Sequence, residues 1–215
     1  MGKLKNGAFG HVTGRIGNLV CYTLNGENVT RQVGTINKAP TEKKLANYQG
    51  LTIANTFQKT ILPFINLGFA KAAMQNRQNP YNEAMSFNKK HALKGNYPFI
   101  EMDYSKALVS RGELPPALDP AISLLPNGLE FSWQMPPDME YCDTNDRTML
   151  LLYFPQGTDA SGRPYAVWEL SGARRKAGID FIELDANEIE KPFEAYISFI
   201  SDDRFEVSDS VWIAP

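Results

Sequence analysis

Alternating apolar and polar positions near the start of the chain predict a β-hairpin. Two β-prone runs, residues 18–24 and 27–33, are joined by Asn25 and Gly26. Both central positions of a type I′ turn need a positive φ angle, which asparagine and glycine tolerate. The sequence therefore predicts two antiparallel strands with a tight turn between them.

The pattern changes to helical spacing after Pro40. A first helix is predicted from an N-cap at Thr41, with Pro63 kinking or ending it and Gly68 marking a stop. Its apolar positions are Ile53, Phe57, Ile61 and Phe64. A second helix is predicted from Asn79, with Pro80 in its first turn, to about Gly95. Residues 99–104 and 107–109 read as strands.

After Pro115 and Pro116 no helical periodicity is visible, and seven short β-prone runs follow. They are residues 121–125, 129–133, 148–154, 165–170, 179–184, 193–200 and 205–213. Regular spacing by turn signals predicts an antiparallel β-sandwich of the fibronectin type III or immunoglobulin kind. Its expected core is Ile122, Leu124, Phe131, Trp133, Leu150, Leu152, Ile182, Leu184, Tyr196, Ile197 and Val211. The predicted fold class is α+β.

Charge sign changes at the same proline junction. Residues 1–110 hold 14 Lys and Arg against 5 Asp and Glu, a net of +9, whereas residues 111–215 hold 8 against 19, a net of −11. Pattern and charge together predict a basic hairpin-and-helix region over residues 1–114 and an acidic sandwich domain over residues 115–215. Such an asymmetry of charge between two halves of a chain usually indicates an interaction with a charged binding partner.

Apolar runs and cysteine content indicate the cellular compartment of the protein. No run approaches the roughly 18 apolar residues of a membrane span, and no apolar segment follows the basic start, so we expect a cytoplasmic protein without a membrane partner. The two cysteines, Cys21 and Cys142, are too few and too far apart for a disulfide framework or a zinc site. We interpret Cys21 as a buried free thiol.

The sequence offers little for catalysis. The glycine series Gly7, Gly10, Gly14 and Gly17 lacks the Lys and Ser or Thr of a phosphate loop and leads into a strand instead of a helix. The chain has two histidines, His11 and His91, and no nucleophile-elbow serine. We therefore predict a protein without enzymatic activity and without a cofactor.

An acidic loop is the one candidate for calcium. It carries Asp138, Glu140, Asp143 and Asp146, but the spacing matches no EF-hand, so a solvated loop is the favoured interpretation. Carboxylates of this acidic half leave a hydrolase as one alternative function.

Two groups of side chains are candidate binding surfaces. Trp168, flanked by Tyr165 and Arg163, is the best candidate for a platform that stacks on sugar rings, although packing in a core is the competing interpretation. The basic half carries Lys43, Lys44, Lys89 and Lys90, which would contact phosphates only if they converge. No aromatic-interleaved motif accompanies these lysines, which argues against a nucleic-acid partner.

Several segments resemble an uncharacterised family of about 200 residues found in Bacteroidota. They are residues 14–22, 29–31, 79–87, 104–112 and 207–211. The family carries no established activity, so the resemblance implies architecture only. The glycine-rich hairpin followed by a Pro-Thr helix also resembles proteins of prophage or mobile-element origin.

The favoured hypothesis is a binding or assembly protein that acts through protein–protein contacts, with a protein partner or other copies of itself. Opposite charges can orient one subunit head-to-tail against the next. A carbohydrate-binding module remains the first alternative, and a carboxylate-based hydrolase the second.

Overall fold

A computed structural model describes residues 2–4, 10–24, 26–35, 38–135, 145–157 and 162–214. The fold is α+β, as predicted. Its contacts divide the chain into two compact units, Met1–Thr41 and Glu42–Pro215. The sequence analysis placed a division after residue 114. Within the second unit, however, the helices share a core with a sheet of the sandwich, so that junction separates no compact units.

The first unit is a four-stranded antiparallel sheet in the order β1-β2-β3-β4. Its strands are β1 (Lys3–Leu4), β2 (Val12–Ile16), β3 (Leu19–Leu24) and β4 (Glu27–Gln32). The predicted hairpin is confirmed in β3 and β4, where Cys21 lies opposite Thr30 and Leu24 opposite Glu27. Gly26 has a φ of +89°, as the predicted turn requires, and Asn25 lies outside the described residues.

Four α-helices open the second unit, where two were predicted. They are α1 (Glu42–Thr60), α2 (Leu62–Gly68), α3 (Ala70–Gln75) and α4 (Pro80–His91). Pro63 lies in the first turn of α2, which explains the break after Thr60. Gly68 ends α2 at a place where an added Cβ would lie 2.6 Å from the Val109 carbonyl oxygen.

The predicted cap of α4 is confirmed. The side chain of Asn79 accepts a hydrogen bond from the Asn82 N–H at 2.7 Å, and Pro80 opens the first turn. Of the strand material expected over 99–104, only β6 (Glu101–Met102) forms, paired with β5 (Leu93–Lys94). The prediction of a strand at 107–109 was wrong, because the side chains of Asn88 in α4 and of Ser210 form the main-chain hydrogen bonds there.

The rest of the chain forms the predicted antiparallel sandwich. One sheet has three strands in the order β11-β8-β7, and the other has four in the order β10-β9-β12-β13. The strands are β7 (Leu118–Leu125), β8 (Gly128–Gln134), β9 (Arg147–Phe154), β10 (Tyr165–Glu169), β11 (Ile179–Glu183), β12 (Glu194–Ile200) and β13 (Val211–Ile213).

Side-chain alternation decides which sheet face each residue occupies. Phe131 of β8, Leu152 of β9 and Ile197 of β12 belong to one apolar cluster between the two sheets. The alternate positions Leu151 and Tyr196 instead belong to a cluster with Phe57 of α1 and the other helices. The second unit therefore has three layers: helices, the four-stranded sheet and the three-stranded sheet.

Four details of the predicted sandwich need correction. Tyr196 is buried, but it faces the helices and not the sandwich core. Leu124 is 62% exposed, because it lies on the edge strand β7 beside the turn into β8. The predicted strand 205–213 is regular only at Val211–Ile213. A single helical turn, α5 (Ala186–Ile189), interrupts the strands and is held by a capping box at its start.

Candidate functional site

The N-terminal sheet has almost no core of its own. Among the side chains described between residues 2 and 41, Cys21 is the single buried one, at 8% exposure. Large apolar side chains of the same sheet lie open: Ile16 is 49% exposed, Leu19 45% and Leu24 54%. A sheet normally buries one apolar face against another layer. This sheet leaves its apolar side chains available for contact.

One face of that sheet combines apolar and cationic side chains. The pairing places Val20, Tyr22 and Val29 at its centre, all half-buried, and the guanidinium of Arg31 lies 5.9 Å from the centre of the Tyr22 ring. Arg15 lies directly opposite Val20 on the neighbouring strand. We call this the basic face; its strand residues are Lys3, Thr13, Arg15, Val20, Tyr22, Leu24, Glu27, Val29 and Arg31.

The opposite face of the same sheet carries no charged side chain at its described strand positions. Thr30 donates a hydrogen bond from its hydroxyl to Cys21 Sγ at 3.4 Å. Ile16 and Leu19 lie opposite one another on adjacent strands. Cys21 is a free thiol, in agreement with the interpretation from sequence. The two faces therefore differ in charge and not in apolar content.

The solvent side of the three-stranded sheet carries the opposite charge. Leu129, Phe131 and Trp133 point into the sandwich core, so Glu130 and Ser132 point away from it. Phe181 lies opposite Glu130, and Ile179 lies opposite Ser132. We call this the acidic outer face; its residues are Leu118, Ala121, Ser123, Leu125, Gly128, Glu130, Ser132, Gln134, Ile179, Phe181 and Glu183.

A polar cleft of about 330 Å³ lies between α3 and the segments around residues 112 and 209. Lys71 lines this cleft, and its Nζ forms ion pairs with Glu206 and, at 3.1 Å, with Glu113. The hydrogen bond from Lys71 lowers the pKa of the Glu113 carboxyl. A hydrolytic general acid needs a carboxyl whose pKa is raised. This pair of carboxylates is therefore arranged as the counter-ions of a lysine.

The candidate sugar platform is not a single surface. Trp168 is half-buried and packs against the cluster between helices and sheet. Tyr165 lies three residues earlier in β10 and therefore on the other sheet face, where its ring is 6.0 Å from that of Phe154. Arg163 is exposed and precedes the strand. The structure does not bring Trp168 and Tyr165 together as one stacking surface.

The four candidate lysines do not line one groove. Lys89 and Lys90 border an open groove of about 550 Å³ beside Leu51 of α1. Lys43 and Lys44 lie in the first turn of α1 and do not line this groove, and Lys44 Nζ is 5.7 Å from the centre of the Tyr48 ring. The convergence that phosphate contact would require is absent from this groove.

The other sequence candidates are also placed. His91 is exposed, with its ring 4.7 Å from that of Phe87. Asp138, Glu140 and Asp143 lie outside the described residues, whereas Asp146 is buried and paired with Arg175 at 3.2 Å. In the described ranges, no three His, Cys, Asp or Glu side chains are placed to hold a metal ion together. Along the same part of the chain, no helix combines the length and apolarity that crossing a bilayer requires.

Sequence reasoning missed the acidic outer face. The signal was present in the alternation of β11, where Ile179, Phe181 and Glu183 occupy one side and Asp180 and Ile182 the other. The expected core residues Phe131 and Ile182 already placed their neighbours on the solvent side, but the sequence did not show that β11 pairs with β8. The sequence did not predict the basic face either. Arg15 and Arg31 share this face only because β2 and β4 both pair with β3, where each arginine lies opposite Val20.

Comparison with protein families gives a match over most of the chain. A family model described as a family of unknown function (DUF6266) covers residues 11–214. Neither a curated protein nor a solved structure matches the chain.

Proposed function

The chain belongs to that family of unknown function, DUF6266, and from its geometry we propose that it is a non-enzymatic binding or assembly protein acting through protein–protein contacts. One observation carries the proposal: the N-terminal sheet exposes apolar side chains on both faces and buries only Cys21 among its described residues. We propose the cytoplasm as its compartment.

The physical argument concerns the cost of ordering this unit. Fixing the backbone of one residue costs about 1–2 kcal/mol, and segments of about 40 residues seldom bury enough surface to offset it alone. Leu19 and Leu24 are exposed, and covering them with another surface lowers the free energy of the protein. A partner that covers the sheet supplies this missing burial.

Charge supports a protein partner for the basic face. Arg15 and Arg31 flank Val20 and Tyr22, and arginine and tyrosine are enriched at the energetic centres of protein interfaces. The half-buried aromatic ring gives the face a rigid anchor, while the guanidinium groups can form paired hydrogen bonds with carboxylates.

Site-specific photo-crosslinking in the native host tests this proposal. A benzophenone amino acid replaces Tyr22 in the full chain, and mass spectrometry identifies the crosslinked peptides. The matched control carries the same group at Phe99, which is 80% exposed in a loop of the second unit. We expect Tyr22 to give discrete protein crosslinks well above the Phe99 background. Equal, diffuse labelling at both positions would overturn the proposal.

The genomic neighbourhood gives an independent test. We propose a Bacteroidota source and a prophage or mobile-element origin for this protein. Capsid, tail or conjugation genes beside this gene would support that origin, whereas polysaccharide-degradation genes would favour glycan binding.

A further inference from the structure

We propose that the basic face of one copy binds the acidic outer face of a second copy. This inference rests on the proposed function and names its partner. The two surfaces lie on separate compact units of the chain, Met1–Thr41 and Glu42–Pro215, so each copy offers one of each kind.

The acidic outer face has an apolar centre. Ile179 is exposed. The ring of Phe181 lies close to Gly128, because a Cβ added to this glycine would be 2.6 Å from Phe181 Cζ. The absence of a side chain at Gly128 leaves room for the aromatic ring at this place. The carboxylates of Glu130 and Glu183 stand beside this ring on adjacent strands.

The basic face repeats that arrangement with the opposite sign. Tyr22 and the valines Val20 and Val29 form its centre, and Arg15 and Arg31 stand beside them. Face-to-face sheets pack about 10 Å apart, a separation at which apolar centres interdigitate. Arginine on one side and glutamate on the other then form charge-assisted hydrogen bonds at the rim.

No other pair of described sheet surfaces combines two apolar centres with charges of opposite sign beside them. The uncharged face of the N-terminal sheet has no arginine or lysine at its strand positions, and the inner face of the three-stranded sheet is covered by the sandwich core. Charge complementarity therefore selects the acidic outer face as the occupant of the basic face.

The size of the contact predicts its strength. Strands β2, β3 and β4 have five or six residues each and β1 has two. At about 3.3 Å per residue and about 4.8 Å between strands, the face measures roughly 300 Å² in projection. Stable interfaces bury about 800 Å² on each partner. We therefore expect weak, reversible and salt-sensitive association. Because the two surfaces differ, the contact is head-to-tail and builds open chains or rings.

Charge reversal on the full chain tests the inference. One variant carries Arg15→Glu and Arg31→Glu, a second carries Glu130→Arg and Glu183→Arg, and a third combines all four changes. Sedimentation velocity at low and high salt, over a series of protein concentrations, measures association. Two control variants, Lys43→Glu with Lys90→Glu and Glu101→Arg with Glu190→Arg, alter charge equally at exposed positions of the second unit.

We expect the native chain to associate at low salt and to dissociate as salt rises. Each reversed pair should weaken association by about tenfold or more, whereas the controls should match the native chain. The four-fold variant, and an equimolar mixture of the two reversed variants, should associate again because opposite charges face each other once more. Circular dichroism confirms that each variant is folded.

Two outcomes would overturn the inference. One is a native chain that stays monomeric at every concentration and salt level. In that case, crosslinking of Tyr22 to a different protein would leave the proposed function standing, whereas absence of crosslinks would remove both. The other is association that persists unchanged in both reversed variants, which would assign self-contact to another surface.

Discussion

The side-chain amide of Asn88 makes two hydrogen bonds with the main chain of Leu108. Asn88 Nδ2 donates to the Leu108 carbonyl oxygen at 2.8 Å, and the Leu108 N–H donates to Asn88 Oδ1 at 2.9 Å. In a β-sheet, a neighbouring strand would form hydrogen bonds with the same N–H and carbonyl groups of Leu108. Asn88 is fully buried, so this contact attaches the extended segment directly to α4.

Replacing Asn88 by alanine should destabilise the second unit strongly. The change leaves a buried N–H and a buried carbonyl without partners, and each costs about 1–3 kcal/mol. We expect a loss of about 2–4 kcal/mol, measured by urea unfolding. The control is Asn82→Ala at an exposed position of α4, with an expected change within about 0.5 kcal/mol. Equal effects of the two changes would contradict this interpretation.

Arg175 is the largest fully buried side chain among the described residues, and its burial should be costly to disturb. Its guanidinium pairs with Asp146, donates to the Pro115 carbonyl oxygen at 2.8 Å and lies 3.7 Å from the centre of the Phe199 ring. Arg175→Met or Asp146→Asn should each cost about 3–5 kcal/mol, because one buried charge loses its partner.

The double change Arg175→Met with Asp146→Asn should cost less than the sum of the single changes, because it leaves no uncompensated charge. Arg147→Met serves as the control, since its ion pair with Asp202 is partly exposed; we expect it to cost about 1 kcal/mol or less. Denaturant unfolding measures all four variants, and strict additivity would contradict the prediction.

Glu194 should make stability depend on pH. Burial raises the pKa of its carboxyl above the ordinary value of 4.5, although a hydrogen bond from Trp212 Nε1 at 2.7 Å acts in the opposite direction. The folded chain therefore holds this proton more tightly than the unfolded chain. The resulting stabilisation is complete below about pH 4.5 and is lost as pH rises through the folded pKa.

Glu194→Gln removes that dependence. We expect the free energy of unfolding of the variant, relative to the native chain, to increase between about pH 4 and about pH 7. The urea midpoint measured across this range checks the sign, with exposed Glu190→Gln as the control. Parallel pH profiles for the native chain and Glu194→Gln would show that the carboxyl does not titrate differently in the two states.

Trp168→Ala should affect stability and not glycan binding. The ring packs against the cluster that joins the helices to the four-stranded sheet, so its loss should cost about 2 kcal/mol or more. A glycan array should give the same profile for the native chain and the variant. A glycan bound by the native chain and lost in a variant of unchanged stability would restore the carbohydrate alternative.

Local rules explain the features that sequence predicted correctly. The cap at Asn79, the break beside Pro63 and the turn at Gly26 depend on the φ angles and hydrogen bonds of a few neighbouring residues. The seven strands of the sandwich follow from alternation and turn signals, which are equally local. Helix α3 was missed because its residues, 70–75, carry no cap or stop signal of their own.

Candidate sites depend on contacts between residues distant in sequence, and there the predictions were weakest. Trp168 and Tyr165 are close in the chain but lie on opposite faces of β10. Glu130 and Phe181 are far apart in the chain but lie side by side on adjacent strands. No rule based on sequence spacing predicts these two arrangements, because both depend on how the strands pair and pack.

The sequence by itself determined the α+β class, the strand alternation and the local helix boundaries, because periodicity and backbone preference act over a few residues. Only the tertiary structure decided that Asn88 replaces a strand for Leu108, that Arg175 is buried, and which charged side chains share a face. Those outcomes depend on how sheets and helices pack, and packing is decided by the summed burial of residues far apart in the chain.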